Sequence, residues 1–191
     1  MAVGDNVYGN IHIYDGEDSE VAVAPKGSTP QEGVGPATAP METVGWIDPD
    51  GVDESIDQSA EAFRAWQGNK VVKRKITESE TTFSIKCLEE NAVVHGLKTR
   101  GATVTKSGTG AAAYAKTVRN RDTATDERQW RIRTIADDGS EKVYSFLGSH
   151  VLTGSVVHKA TEMTVHEFEV TPIGDVTEFT TNKAIVDSVT A

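Results

Sequence analysis

Cysteine is nearly missing from this chain of 191 residues. Cys87 is the only one, so no intrachain disulfide can form. Its place in the alternating series Phe83, Ile85, Cys87 reads as a small buried hydrophobe and not as a catalytic thiol. Long apolar runs are missing too. No stretch approaches the roughly 20 residues that cross a bilayer, so no membrane partner is expected. The start, Met1-Ala2-Val3-Gly4-Asp5, lacks the charged and apolar regions of a secretory signal, which points to a cytoplasm as the place of maturation. Positive charge is in deficit: 19 Lys and Arg face 29 Asp and Glu, a net charge of −10, and this argues against electrostatic capture of nucleic-acid phosphates.

Patterns that carry chemistry are equally sparse. His12, His95, His150, His158 and His166 are scattered, without the close spacing that puts two imidazoles on one metal. Asp15-Glu17-Asp18-Glu20 and Asp48-Asp50-Asp53-Glu54 match no calcium-loop spacing and read as solvated turns. Ser149-His150 lacks the strand-Gly-x-Ser-x-Gly-helix context of a nucleophilic serine. Gly108-Thr109-Gly110-Ala111-Ala112-Ala113 formally satisfies a dinucleotide-loop spacing, but the charged, Thr-rich stretch from Thr117 to Gln129 supplies no second hydrophobic strand. It reads as a hairpin loop of small residues. No catalytic residue, metal or cofactor is therefore assigned, and the chain is not expected to be an enzyme.

What is present is strand periodicity in one domain-sized chain, with 37% hydrophobic residues to form a core. Strands are expected near Asn10 to Tyr14, Val21 to Ala24, Thr43 to Ile47, Thr103 to Lys106, Tyr114 to Val118, Arg128 to Ile135, Lys142 to Leu147, Val151 to His158 and Met163 to Thr171. Arg131 and Arg133, flanking Trp130 and Ile132, should lie on a solvated side. Asp48-Pro49-Asp50-Gly51 favours a tight reversal. Breakers crowd Pro25 to Pro40, so residues 1–40 read as a flexible N-terminal arm, 41–174 as the β domain and 175–191 as a polar tail.

The middle of the chain is the most patterned. Asp53, Ser55, Asp57, Ser59 and Glu61 alternate with Ile56, Ala60 and Ala62, which gives a strand with one wet, acidic face. After Gly68-Asn69 the chain returns through Val71 to Thr77 and Thr81 to Leu88, so a long hairpin is expected. A helical turn over Ala60 to Gln67 is the lesser alternative. Asn91 can cap a short helix with Val93, Val94 and Leu97 on one side, ended near Gly101. Trp46, Trp66, Phe83 and Trp130 are candidate core or interface anchors. Charge is segregated: residues 1–62 carry −12, 63–133 carry +8 and 134–191 carry −6, an arrangement suited either to self-stacking faces or to strands that neutralise each other within the fold.

The order Arg64-Ala65-Trp66-Gln67-Gly68, Val71-Val72-Lys73-Arg74, Thr81-Thr82-Phe83, Cys87-Leu88-Glu89-Glu90-Asn91 and Gly101 resembles the major tail protein, or tail tube protein, of long-tailed bacteriophages. The resemblance runs through about residues 41 to 172 and is weakest from Ala102 to Asp126. It implies a β-sandwich or barrel with one short flanking helix. It also implies a structural virion protein whose homo-hexameric rings stack into the tube that conducts the genome, with no catalysis. Partners would be sister copies, a tape measure protein and tail-end proteins, with DNA passing through unbound. The location would be the virion tail, after assembly in the host cytoplasm. Asp53, Asp57 and Glu61 would then be candidate lumen-facing acids, and the stretch from Gly27 to Pro40 a bridge between rings. A carbohydrate- or protein-binding β-sandwich on a particle surface is the alternative.

Overall fold

A computed structural model of the chain describes residues 12–14, 16–100, 102–119 and 125–189. Gly101, Asp15 and the start of the strand expected at Asn10 lie outside the described residues. The protein is mainly β. Its strands are β1 (Glu20–Pro25), β2 (Glu42–Thr43), β3 (Ile47–Arg64), β4 (Val71–Cys87), β5 (Thr103–Ser107), β6 (Tyr114–Val118), β7 (Glu127–Ile135), β8 (Glu141–Thr153), β9 (His166–Pro172) and β10 (Thr177–Thr180). Two short helices accompany them, α1 (Ala92–Thr99) and α2 (Lys183–Val186).

One antiparallel sheet runs β2-β1-β7-β8-β9-β4-β3, with β10 added to β8, and β5 and β6 form a separate ribbon. β9 stands between β4 and β8, so those two strands share no ladder. Even so, the Phe83 ring of β4 stacks 4.9 Å from Phe146 and lies 5.2 Å from Tyr144, both on β8. The large sheet therefore curls over itself as a sandwich, with Phe83 between its halves. Val21, Ile85, Trp130, Ile132, Phe168 and Val170 complete that interior, each contributing about 1.5–3 kcal/mol by leaving water.

α1 closes one side of the sandwich. Asn91 Oδ1 accepts from the Val94 amide at 2.9 Å, while its Nδ2 donates to the Val44 carbonyl, so one side chain both starts the helix and ties it to the chain before β3. Val94 and Leu97 are buried against the sheet. The His150 Nε2 meets the Leu97 carbonyl at 2.9 Å and Arg100 donates to the His150 carbonyl, which anchors the helix end to β8.

Several sequence expectations need correction. Asp48-Pro49-Asp50-Gly51 does not reverse the chain. It is an outward bulge within β3: Ile47 pairs with Cys87 and Val52 with Ile85, so four residues stand opposite Lys86 alone. Gly51, at φ 77°, supplies the left-handed step. Arg131 and Arg133 are not solvated but buried: Arg131 bonds the loop that follows β1, and Arg133 bonds Glu141 and the Asp18 carbonyl. The strand from Lys142 extends to Thr153 without a break and stops there, short of His158. Residues expected in the arm and the tail contribute strands to the sheet: β1 lies between β2 and β7, and β10 pairs with β8. The boundaries expected at 40 and 174 therefore cut through one sandwich. Among the described residues no helix is long and apolar enough to cross a membrane.

Candidate functional site: an exposed hairpin and the cleft at its base

β3 and β4 leave the sandwich together as a two-stranded hairpin. From Asp53 to Arg64 and from Val71 to Glu80 every residue is exposed. At about 3.3 Å per residue the free part reaches roughly 40 Å from the body. β3 pairs with β4 alone, so its outer edge is a row of unpaired backbone groups.

Register decides what each face carries. Asp53, Asp57 and Glu61, the sequence candidates, do share one face, with Ser84, Glu80 and Lys75 opposite them. The ladder slips between Ser59 and Ala60, where Thr77 is inserted and its hydroxyl bonds the Ser59 carbonyl at 3.2 Å. That single bulge reverses the parity of β4 relative to β3. Without it Ile76 would stand opposite Glu61; with it Ile76 pairs with Ala60, and Lys75 faces Glu61. On the body side of the slip Glu78 and Glu80 stand opposite Ser59 and Asp57, giving five carboxylates on one face. Asp57 directly opposite Glu80 is a like-charge pair that weakens the ribbon. Glu78 and Glu80 join this face through the pairing that starts at Val52 and Ile85, a cross-strand register that neither strand's own alternation reveals.

The other face is mixed, with aliphatic side chains among Gln58, Ser79, Thr81 and Arg74. Ala60 pairs with Ile76, and Ile56 lies further down the same side; Ile56 is 57% and Ile76 55% exposed. These β-branched aliphatics stand in water along the free ribbon.

The tip is basic and ordered. Residues 62–77 contain Arg64, Lys70, Lys73, Arg74 and Lys75 and no acid. Arg64 Nη1 donates to the Asn69 carbonyl at 3.0 Å and the Ala65 amide to the Lys70 carbonyl at 2.8 Å, with Gly68 and Asn69 at positive φ closing the turn. Trp66 stands outward on this turn, 97% exposed. Of the four aromatic anchors, Phe83 and Trp130 are core, whereas Trp66 and Trp46, 68% exposed, touch little of their own fold.

At the base of the hairpin a cleft of about 800 Å³ opens between the Asp48–Gly51 bulge and the start of β1. Val21, Phe83 and Ile132 contribute its floor, Tyr14 and Trp46 its aromatic margin, and Glu17, Asp48 and Asp50 an acidic rim. Tyr144 donates to Glu54 Oε2 at 2.6 Å, and burial, reinforced by that bond, pushes the phenol up to about 12. Lys142 lies over the Tyr144 ring; desolvation opposes its charge, but Tyr144 and Glu178 hold its pKa above the ordinary value. Arg133 is already matched, donating twice to Glu141 at 2.9 and 3.0 Å, and this bond holds the Glu141 carboxyl below its usual range.

Other sequence features resolve into structural parts. Gly108–Ala113 connects β5 to β6, and a strand follows it where a dinucleotide site needs a long helix. His12, Asp137 and Asp138 come within ligand distance of one another. However, the Asn182 oxygen is committed to the Ala184 amide and its Nδ2 faces His12 Nε2 at 2.7 Å. The imidazole proton therefore sits on Nδ1, 3.5 Å from Asp138, and the group is a polar contact within a turn. Neither a protein-family model nor a curated protein matches this chain.

Proposed function

We propose that the protein is a self-assembling structural subunit, six copies to a ring, whose stacked rings form the tail tube that conducts a phage genome. The observation that carries this reading is the two-sided hairpin: about 40 Å of unsupported ribbon with an acidic face, a second face that exposes Ile56 and Ile76, and a free edge. No isolated molecule gains from such a ribbon. Placed beside sister copies, each free edge of β3 finds a ladder partner, the Ile56 and Ile76 side is covered, and Asp53, Asp57 and Glu61, with Glu78 and Glu80, are left lining a channel. Like-charge repulsion would keep phosphates from adhering during passage. A tape measure protein, tail-end proteins and transient DNA are the further partners this reading brings, with the virion tail as its location.

Negative-stain microscopy of the purified chain tests the assembly, with rings or filaments of even width expected. Replacing Asp53, Asp57 and Glu61 with Lys should preserve tubes and impair genome delivery; unchanged infectivity would remove the lumen assignment. A second reading, a surface binding module for carbohydrate or protein, draws support from the cleft and its exposed Trp46 and Tyr14. It calls for a monomer that binds its ligand there.

A further inference from the structure

The basic tip and the acidic cleft lie at opposite ends of one hairpin. Residues 62–77 bring five cations and no acid. The cleft is lined by Glu17, Glu20, Asp48, Asp50, Glu54 and Glu89 against Arg133 and Lys142; Arg133 is paired with Glu141 and Asp50 with Lys86, which leaves five acids against one cation. The shapes correspond as well. One end holds an outward tryptophan on a closed turn, the other an apolar floor beneath an aromatic margin. A β ladder paired from Val52 to Arg64, with shifts of register only after Ser59 and Phe63, separates them, and a ribbon paired over that length does not fold back on itself, so the tip cannot enter the cleft of its own molecule.

We infer that the hairpin tip of one copy docks in the cleft of the next, with Trp66 on the apolar floor and Arg74 and Lys75 against Glu17 and Asp48. The inference rests on the assembly reading above and names the surfaces that make the contact. Because two different patches meet, the contact is head-to-tail and propagates from copy to copy into a closed ring or a filament. Its acidic and basic members also give it a salt dependence. An apolar anchor inside a charged margin is the arrangement in which one aromatic residue carries much of the binding energy.

The test is sedimentation velocity on the full chain at low and high salt. The variants are Trp66→Ala, Arg74→Glu with Lys75→Glu, Glu17→Lys with Asp48→Lys, and all four charge reversals combined. Circular dichroism and thermal melting confirm that each variant is folded. The wild-type chain should associate, Trp66→Ala and each charge pair alone should weaken association at least tenfold, and the combined reversal should restore most of it. Association that survives Trp66→Ala overturns the contact while leaving the assembly reading in place. If Trp66→Ala weakens association but the combined reversal does not restore it, the tip binds somewhere other than this cleft and the inference is likewise wrong. A wild-type chain that stays monomeric at every concentration removes both. Tight binding of single-stranded DNA, lost in the Arg74 and Lys75 variant whose self-association is intact, would assign the tip to nucleic acid instead.

Discussion

Arg131 donates to the Gly35 carbonyl at 2.9 Å, across 96 positions of sequence. The same guanidinium takes the carbonyls of Gln31 and Gly33, both at 3.1 Å. A cation buried in β7 thus pins the breaker-rich loop, residues 26–40, to the sheet. Arg131→Ala would leave three carbonyls without their donor and should cost about 3–5 kcal/mol. In a domain of this size the melting temperature should fall by on the order of 10 °C. Limited proteolysis should cut first between Lys26 and Pro40. Arg131→Lys should recover little, because an ammonium cannot span three acceptors in a plane. An uncut loop in the alanine variant would refute the pin.

Tryptophan emission should report the two kinds of anchor. Trp130 is buried whereas Trp46 and Trp66 are exposed, so acrylamide should quench most of the emission of the dispersed chain. On assembly the spectrum should shift to the blue, and Trp66→Phe should remove much of that shift. A spectrum unchanged between dispersed and assembled protein would count against burial of the tip.

Stability should fall as acid is added, starting well above the carboxylate range. Burial holds the His150 and His166 imidazoles below their ordinary value of 6.5; the Leu97 carbonyl and Asp126 oppose this at His150, while Lys98 reinforces it at His166. With the folded pKa depressed, the unfolded chain binds more protons below pH 6.5. Stability is therefore complete above that value and declines beneath it, by at most about 1.4 kcal/mol per pH unit for each histidine. Urea midpoints at pH 7.5, 6.5 and 5.5 should show the decline, and His166→Leu should flatten it. Equal midpoints throughout would disprove the linkage.

Cys87 is sealed in the sandwich, and burial pushes its thiol up to about 12. Ellman's reagent should leave it untouched in native protein and titrate one thiol after urea unfolding. Phe83→Ala, which empties the same interior, should cost about 3–5 kcal/mol and expose that thiol.

Much of this fold was legible in the sequence because its signals are local. Alternation in Phe83, Ile85 and Cys87, the Asn91 cap and the Gly68-Asn69 turn each act within a few residues, and each appears where expected. The errors arose where a distant segment decides the outcome. Arg131 and Arg133 alternate as a wet face should, but segments distant in sequence take them up, the loop after β1 at Arg131 and the Asp18 carbonyl at Arg133. Asp48-Pro49-Asp50-Gly51 has turn chemistry, but the pairing of Ile47 and Val52 on either side holds the strand direction through it. At the candidate site, alternation placed Asp53, Asp57 and Glu61 together. Their alignment with Glu78 and Glu80 depended on the register in which the returning strand pairs from Val52 and Ile85 onward.

That slip at Thr77 restricts how this ribbon can change over descent. Removing or inserting one residue between Thr77 and the tip would exchange the sides on which all the intervening side chains emerge. Kindred chains with longer or shorter ribbons should therefore differ by even numbers of residues in each strand, or carry a second insertion that cancels the first.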